Sequence, residues 1–224
     1  MMKTSMRILG TMIATTLTLV AFSQSNPTKK VFDFENYQVN QLPSDWSQYH
    51  TGAGTSNWKV VNDNGNKVLA QLQGDNGGGA IFNIAVNNEI SAKDMLLTVR
   101  LKGVSGKHDQ GGGFIWRFID EKNYYIVRAN PLEDNVVLYK VEKGTRTDLA
   151  LVDKGKTYGV PVPKLGSDWN TLKLEVKGDL FTVYLNNKEL FKVKDTTFPN
   201  AGKIGLWTKA DAVTYFDDYT VAIN

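Results

Sequence analysis

Residues 111–141 read GGGFIWRFIDEKNYYIVRANPLEDNVVLYKV. Residues 114–119 and 124–129 are dense in aromatic and β-branched types, and Asp120-Glu121-Lys122-Asn123 between them is turn chemistry. A third strand follows at 135–142. A four-residue turn sets Ile119 opposite Tyr124, Phe118 opposite Tyr125, Arg117 opposite Ile126, Trp116 opposite Val127 and Ile115 opposite Arg128. Side chains alternate along a strand, so the pairing predicts two faces. Phe114, Trp116, Phe118, Tyr125, Val127 and Ala129 form a core face. Ile115, Arg117, Ile119, Tyr124, Ile126, Arg128 and Asn130 form the other. Unpaired arginines do not belong in a core, and a plain solvent face has no use for two isoleucines beside them. The pattern predicts a half-sheltered, concave face that binds something.

Outward from this hairpin, the same signature repeats. Strands are expected at 31–35, 58–62, 67–71, 80–84, 95–102, 147–152, 170–177, 180–185, 188–193, 203–208 and 212–222. Asn64-Gly65-Asn66, Lys177-Gly178-Asp179 and Asn186-Asn187 are turn signals, the last two bracketing a tight meander. No stretch sustains a 3.6-residue period, although 89–94 is long enough for one helical turn. The pattern predicts an all-β fold, a sandwich of two antiparallel sheets. The longest irregular piece, 153–167, holds Pro161 and Pro163 and reads as a surface loop bordering the site.

The chain has 224 residues, 42% hydrophobic and 22% charged, enough for one domain with a sizeable core. Lys3 and Arg7 precede an apolar run at 8–22, and Ala21-Phe22-Ser23 suits signal peptidase. The expected division is a signal peptide at 1–23, a polar lead-in at 24–30 and the β-sandwich at 31–224. The apolar run is shorter than the roughly 20 residues of a membrane span, and no other stretch approaches one. The mature chain is therefore expected to be exported, to the periplasm or the outside, with no transmembrane segment.

Taking Lys3 and Arg7 from the formal +3 leaves +1, which gives no basic patch and no case for nucleic acid. With no cysteine there is no disulfide, no thiol catalysis and no cysteine metal site. His50 and His108 have no ligand spacing and read as loop residues. Gly77-Gly78-Gly79 and Gly111-Gly112-Gly113 precede strands and not helices, so they read as close backbone passages and not as phosphate cradles.

Three further pieces carry a likeness: FDFENYQVNQLPSDW at 32–46, the strand from Trp169 with NNKELFKV, and GKIGLWTKADAVTYFDDYTV near the end. With 111–141 they resemble the concanavalin A-like lectin/glucanase domains, of the laminin-G-like or 3-keto-disaccharide-hydrolase-like kind found in exported bacterial proteins. The resemblance implies a jelly-roll sandwich with one concave sheet and, through it, carbohydrate handling. The glucanase Glu-x-Asp-x-(x)-Glu strand is absent, and Asp120-Glu121 and Glu133-Asp134 are turn residues.

Sugars stack their C–H faces on aromatics and bond through hydroxyls to planar polar groups. The expected ligand set is Arg117, Tyr124, Arg128 and Asn130, joined by Trp207, which reads equally as a core residue, with an acidic sugar suited to the arginine pair. Trp46, Trp58 and Trp169 open strands and are expected to pack in the core or at its rim. Phe32-Asp33-Phe34-Glu35 opens the fold and Phe216-Asp217-Asp218-Tyr219 closes it. If the first and last strands are neighbours, Asp33, Glu35, Asp217 and Asp218 supply the oxygens a structural calcium prefers. The cofactor expectation is thus none, or that calcium. The functional expectation is an exported lectin-like module that binds an oligo- or polysaccharide on its concave sheet. A glycoside hydrolase-like enzyme acting on a (3-keto-)glycoside, and a non-catalytic adhesion or scaffold module, are the alternatives.

Overall fold

Period-2 alternation dominates the chain, and the structure follows it. The computed structural model describes Met2 and residues 28–223; the expected signal peptide lies outside the described residues. No helix occurs among the described residues. The strands are β1 Thr28–Phe32, β2 Trp46–Thr51, β3 Trp58–Asp63, β4 Asn66–Gln71, β5 Phe82–Ala92, β6 Met95–Ser105, β7 Gly112–Asp120 and β8 Asn123–Asn130. They continue as β9 Asn135–Glu142, β10 Thr145–Asp148, β11 Val160–Pro161, β12 Asn170–Lys177, β13 Leu180–Leu185, β14 Lys188–Lys194, β15 Gly202–Lys209 and β16 Val213–Ile223.

They form two antiparallel sheets of eight strands each. The first runs β14-β13-β12-β6-β16-β4-β3, with β1 also on β16. The second runs β10-β9-β8-β7-β15-β5-β2, with β11 also on β9. The all-β sandwich expected from the sequence is the fold observed.

Its core lies between the sheets. Leu97, Val99, Leu172, Leu174, Phe181 and Phe216 of the first sheet meet Phe114, Trp116, Tyr125, Val127, Leu138 and Leu206 of the second. Trp116 stacks on Tyr125 with centroids 5.2 Å apart and meets the edge of Phe181 at 5.3 Å. Trp46 and Trp58 are buried there as expected. Trp169 is half-buried on the far side of the first sheet, under Arg100 and Lys102.

Several expectations are corrected. The helical turn at 89–94 is strand: β5 runs to Ala92 and burial alternates through Ile90 and Ala92. The strand expected at 147–152 lies earlier, at β10, because Lys143 and Gly144 take positive φ and close a tight hairpin. β2 was not expected; its WSQYHT is half polar because it is an edge strand. His50 is therefore a strand residue, half-buried, 3.0 Å from Asn83 Oδ1. β1 starts at Thr28, inside the polar lead-in.

The β7–β8 hairpin holds the largest correction. Its turn is at the expected place, with Asp120 opposite Asn123. Beyond it the register shifts, and Trp116 pairs with Tyr125 where Val127 was expected. Arg117 causes this: it sits in a bulge at φ 48. The bulge breaks the alternation. Arg117 turns inward and Phe118 turns to the outer face, joining Tyr124 there. Arg117 and Arg128 consequently do not share a face.

Candidate functional site

The outer face of the second sheet carries a second apolar cluster, separate from the core. It gathers Phe82, Ile84, Val86, Ile115, Phe118, Tyr124, Ile126, Val137, Tyr139, Val141 and Trp207, with Tyr49 beside them. The register lays them in rows. One row crosses six strands as Tyr49, Ile84, Trp207, Gly113, Arg128, Val137. The next runs Val86, Gly205, Ile115, Ile126, Tyr139, Asp148. Gly113 and Gly205 are required by close backbone: a Cβ would run into the Val127 carbonyl in one case and the Ala85 carbonyl in the other. Gly113 therefore serves backbone approach, as expected of that glycine run.

Arg146 lies across this face. It faces Val141 in the β9–β10 hairpin and so points to the same side. Its guanidinium carbon is 4.5 Å from the ring centre of Tyr139, 5.3 Å from Phe82 and 5.8 Å from Trp207. These are cation–π distances. Three polar atoms here are buried without a hydrogen-bond partner: Arg146 Nη1, Trp207 Nε1 and Tyr124 Oη. Burial pushes the Tyr124 hydroxyl's pKa up, against the pull of the Trp207 indole and the Arg146 charge. The same charge reaches the Tyr139 hydroxyl, whose pKa burial also raises.

Of the expected ligand residues, Tyr124, Arg128 and Trp207 lie on this face and Arg117 does not. Arg117 donates to the carbonyls of Lys93 (3.1 Å from Nη2), Phe198 (2.8 Å) and Gly178 (2.5 Å). It is a clasp between loops. Arg128 stands at one end of the face, fully engaged. It donates to Glu133 at 2.7 Å, Tyr139 at 3.1 Å, Tyr158 at 3.3 Å and also to Asn135. Burial pulls the Glu133 carboxyl up, but Arg128 and Asn135 outweigh it and hold the group below its ordinary range. Asn130 is 1% exposed and consumed by the turn, accepting from the Leu132 N–H at 3.0 Å and donating to Asp109 at 3.3 Å. Tyr158 belongs to the loop expected to border the site, and it does meet Tyr139 and Arg128.

The acids proposed for calcium are placed otherwise. β1 does pair with β16, Thr28 opposite Ile223 and Phe32 opposite Tyr219. Yet Arg100 is 3.0 Å from Asp218 and 3.6 Å from Asp217, and Asn66 donates to Asp217 at 2.9 Å. Glu35 accepts from the Lys67 N–H at 2.8 Å, and Asp33 accepts from the Glu35 N–H at 3.2 Å. Among the described residues no group of three or more His, Cys, Asp or Glu is gathered to hold a metal ion. A cation between Asp217 and Asp218 would compete with an arginine, so the donor set does not fit calcium.

No protein-family model matches the chain, and no curated protein matches it in sequence. Solved structures match its fold. The carbohydrate binding module CBM66 from Bacillus subtilis superimposes with a TM-score of 0.60 at 21% identity, over 80% of this chain and 95% of that one. The cellulose induced protein Cip1 gives 0.58 at 12% identity, over 87% and 97%. Domain 4 of AbnA, an extracellular arabinanase from Geobacillus stearothermophilus in complex with arabinotriose, gives 0.52 at 14%, over 89% and 94%. At these identities the likeness is one of fold.

Proposed function

We propose that this chain is an exported carbohydrate-binding module of the concanavalin A-like kind, receiving a glycan on a concave outer face of its second sheet. The observation that carries the reading is the aromatic face itself, Phe82, Tyr124, Tyr139 and Trp207, with Arg146 laid over it. An outer sheet face with five clustered aromatics, Phe118 among them, and a stacked cation exceeds what a sandwich needs for its core. The rings are at most 4% exposed, with Arg146 over three of them, so a sugar reaches their apolar faces as that side chain swings aside, and it then meets donors for its oxygens.

Concavity is supported by a distance. β10 and β5 are five steps apart in the sheet, about 24 Å if flat at ~4.8 Å per step. An arginine side chain reaches roughly 7 Å. Arg146 of β10 nevertheless lies 5.3 Å from the ring of Phe82 of β5. A face that curls brings these two side chains together. Trp207, at 0% exposure, lies under Arg146 and against Phe82. Export rests on the leader-like sequence at 1–23.

That the neighbouring folds include a carbohydrate binding module and a domain in complex with arabinotriose is consistent with this reading. A glycan-array screen tests it, run with a reducing-sugar release assay on every hit. Retention on a glycan without release supports a binding module. Release of sugar moves the chain to the glycoside-hydrolase alternative, and no retention on any glycan removes the reading.

A further inference from the structure

The chain places three arginines near the second sheet, and their partners separate them. Arg117 is spent on main-chain carbonyls, with Asp94 at 3.8 Å. Arg128 is neutralised by Glu133 and bonded to Asn135, Tyr139 and Tyr158. Arg146 forms no ion pair among the described residues, and its Nη1 is buried without a partner. The nearest acid on its own strand, Asp148, faces Lys156 at 3.7 Å.

The atoms beside Arg146 define what is missing. A guanidinium N–H and an indole N–H can only donate, while a tyrosine hydroxyl can donate or accept. Nε1 of Trp207 has the Tyr124 hydroxyl beside it, whereas Nη1 of Arg146 is a buried donor in want of an acceptor, on a half-buried cation with no counter-charge. A planar, anionic, two-oxygen acceptor meets both demands at once. A neutral hydroxyl meets only the first.

We propose that Arg146, with Trp207 and Tyr124, forms a subsite for the carboxylate of an acidic sugar, a uronic acid residue of the glycan. The proposal rests on the carbohydrate-binding reading above and narrows it. Without ligand, the guanidinium lies on Tyr139, Phe82 and Trp207. With ligand, the uronate carboxylate takes the Nη1 donor, and the sugar ring takes over part of the aromatic surface of Trp207 and Tyr139 that Arg146 covers. Arg146 sits on a four-residue edge strand, so its side chain can shift without disturbing the core.

Titration calorimetry on the purified protein tests this. The probes are oligogalacturonate, oligoalginate and glucuronate-bearing xylo-oligosaccharide, each beside its methyl ester, with cello- and malto-oligosaccharides as neutral controls. We expect at least one uronate to bind and its ester to bind at least tenfold more weakly. Arg146→Met keeps the apolar stem and should weaken uronate binding at least tenfold, with an unchanged melting midpoint; Arg146→Lys should recover part of it. Acid and ester bound equally, or neutral sugars bound with Arg146→Met indistinguishable from the parent, would overturn the uronate subsite and leave the binding module standing. Binding of no probe and no array glycan would overturn both.

Discussion

Arg117 of the second sheet and Gly178 of the first are joined by a 2.5 Å hydrogen bond, guanidinium to carbonyl. Gly178 lies in the turn between β12 and β13, so the bond closes one end of the sandwich. The same guanidinium holds Lys93 and Phe198, and stands 5.5 Å from the ring of Phe181. The left-handed backbone of Arg117 is the local cost of this clasp.

Replacing Arg117 by Met removes a buried charged donor from three carbonyls. The expected loss is about 3 kcal/mol of stability, measured by urea unfolding. Glycan binding by the folded variant should be unchanged, because Arg117 does not face the outer aromatic cluster. Lysine cannot span three carbonyls and should recover only part of the loss.

Arg128→Ala separates an anchoring arginine from a ligand contact. Its side chain is 3% exposed and it holds Glu133, Asn135, Tyr139 and Tyr158. A stability loss of about 2–3 kcal/mol is expected. A melting midpoint equal to that of the parent would return Arg128 to the ligand set. Trp116→Ala, in the core against Tyr125 and Phe181, is expected to lose more, about 3–5 kcal/mol.

Asp211 sets a pH dependence. Burial pulls its carboxyl up, but the backbone N–H groups of His108, Lys107 and Asp109 outweigh that and hold it below the ordinary range. A carboxyl depressed by folding stabilises the native state above its unfolded pKa, near 3.9, and that contribution disappears as pH falls through the folded value. Urea midpoints between pH 6 and pH 2.5 should fall below about pH 4. Asp211→Asn should start lower and lose part of that slope; a slope identical to the parent's would remove Asp211 as its source.

For Asp217 and Asp218, the expected response to calcium is none. Arg100 and Asn66 already hold these carboxylates. The melting midpoint should be the same in millimolar calcium and in chelator. A rise with calcium that chelator reverses would show that the metal displaces Arg100.

Much of the fold was legible because its signals are local. Asn64-Gly65 and Asn186-Asn187 take the positive φ values that their residue types favour, and the meander around β13 follows. Tyr124 and Arg128 were placed on one face by alternation alone, while Trp207 read equally as site or core. Arg117 was misplaced because arginine carries no preference for left-handed backbone. Its bulge is imposed by carbonyls distant in sequence, and one bulge was enough to turn Phe118 outward. Arg146 was missed although a signal existed. Lys143-Gly144 is a hairpin turn, and reading it would have set Arg146 opposite Val141. Its stacking on Phe82 was not readable, because β10 and β5 are separated by four strands of the sheet.

The pairing of β1 with β16 has a mechanical consequence. Thr28 and Ile223 lie opposite each other at the same end of that ladder. Force applied through these two residues loads the hydrogen bonds one after another, as a zipper, and not all together in shear. Opening β1 in this way undoes its ladder with β16 pair by pair and leaves the pairing of β7 with β15, beneath the aromatic face, unloaded. Under that load the seam is a soft link and not a rigid rivet.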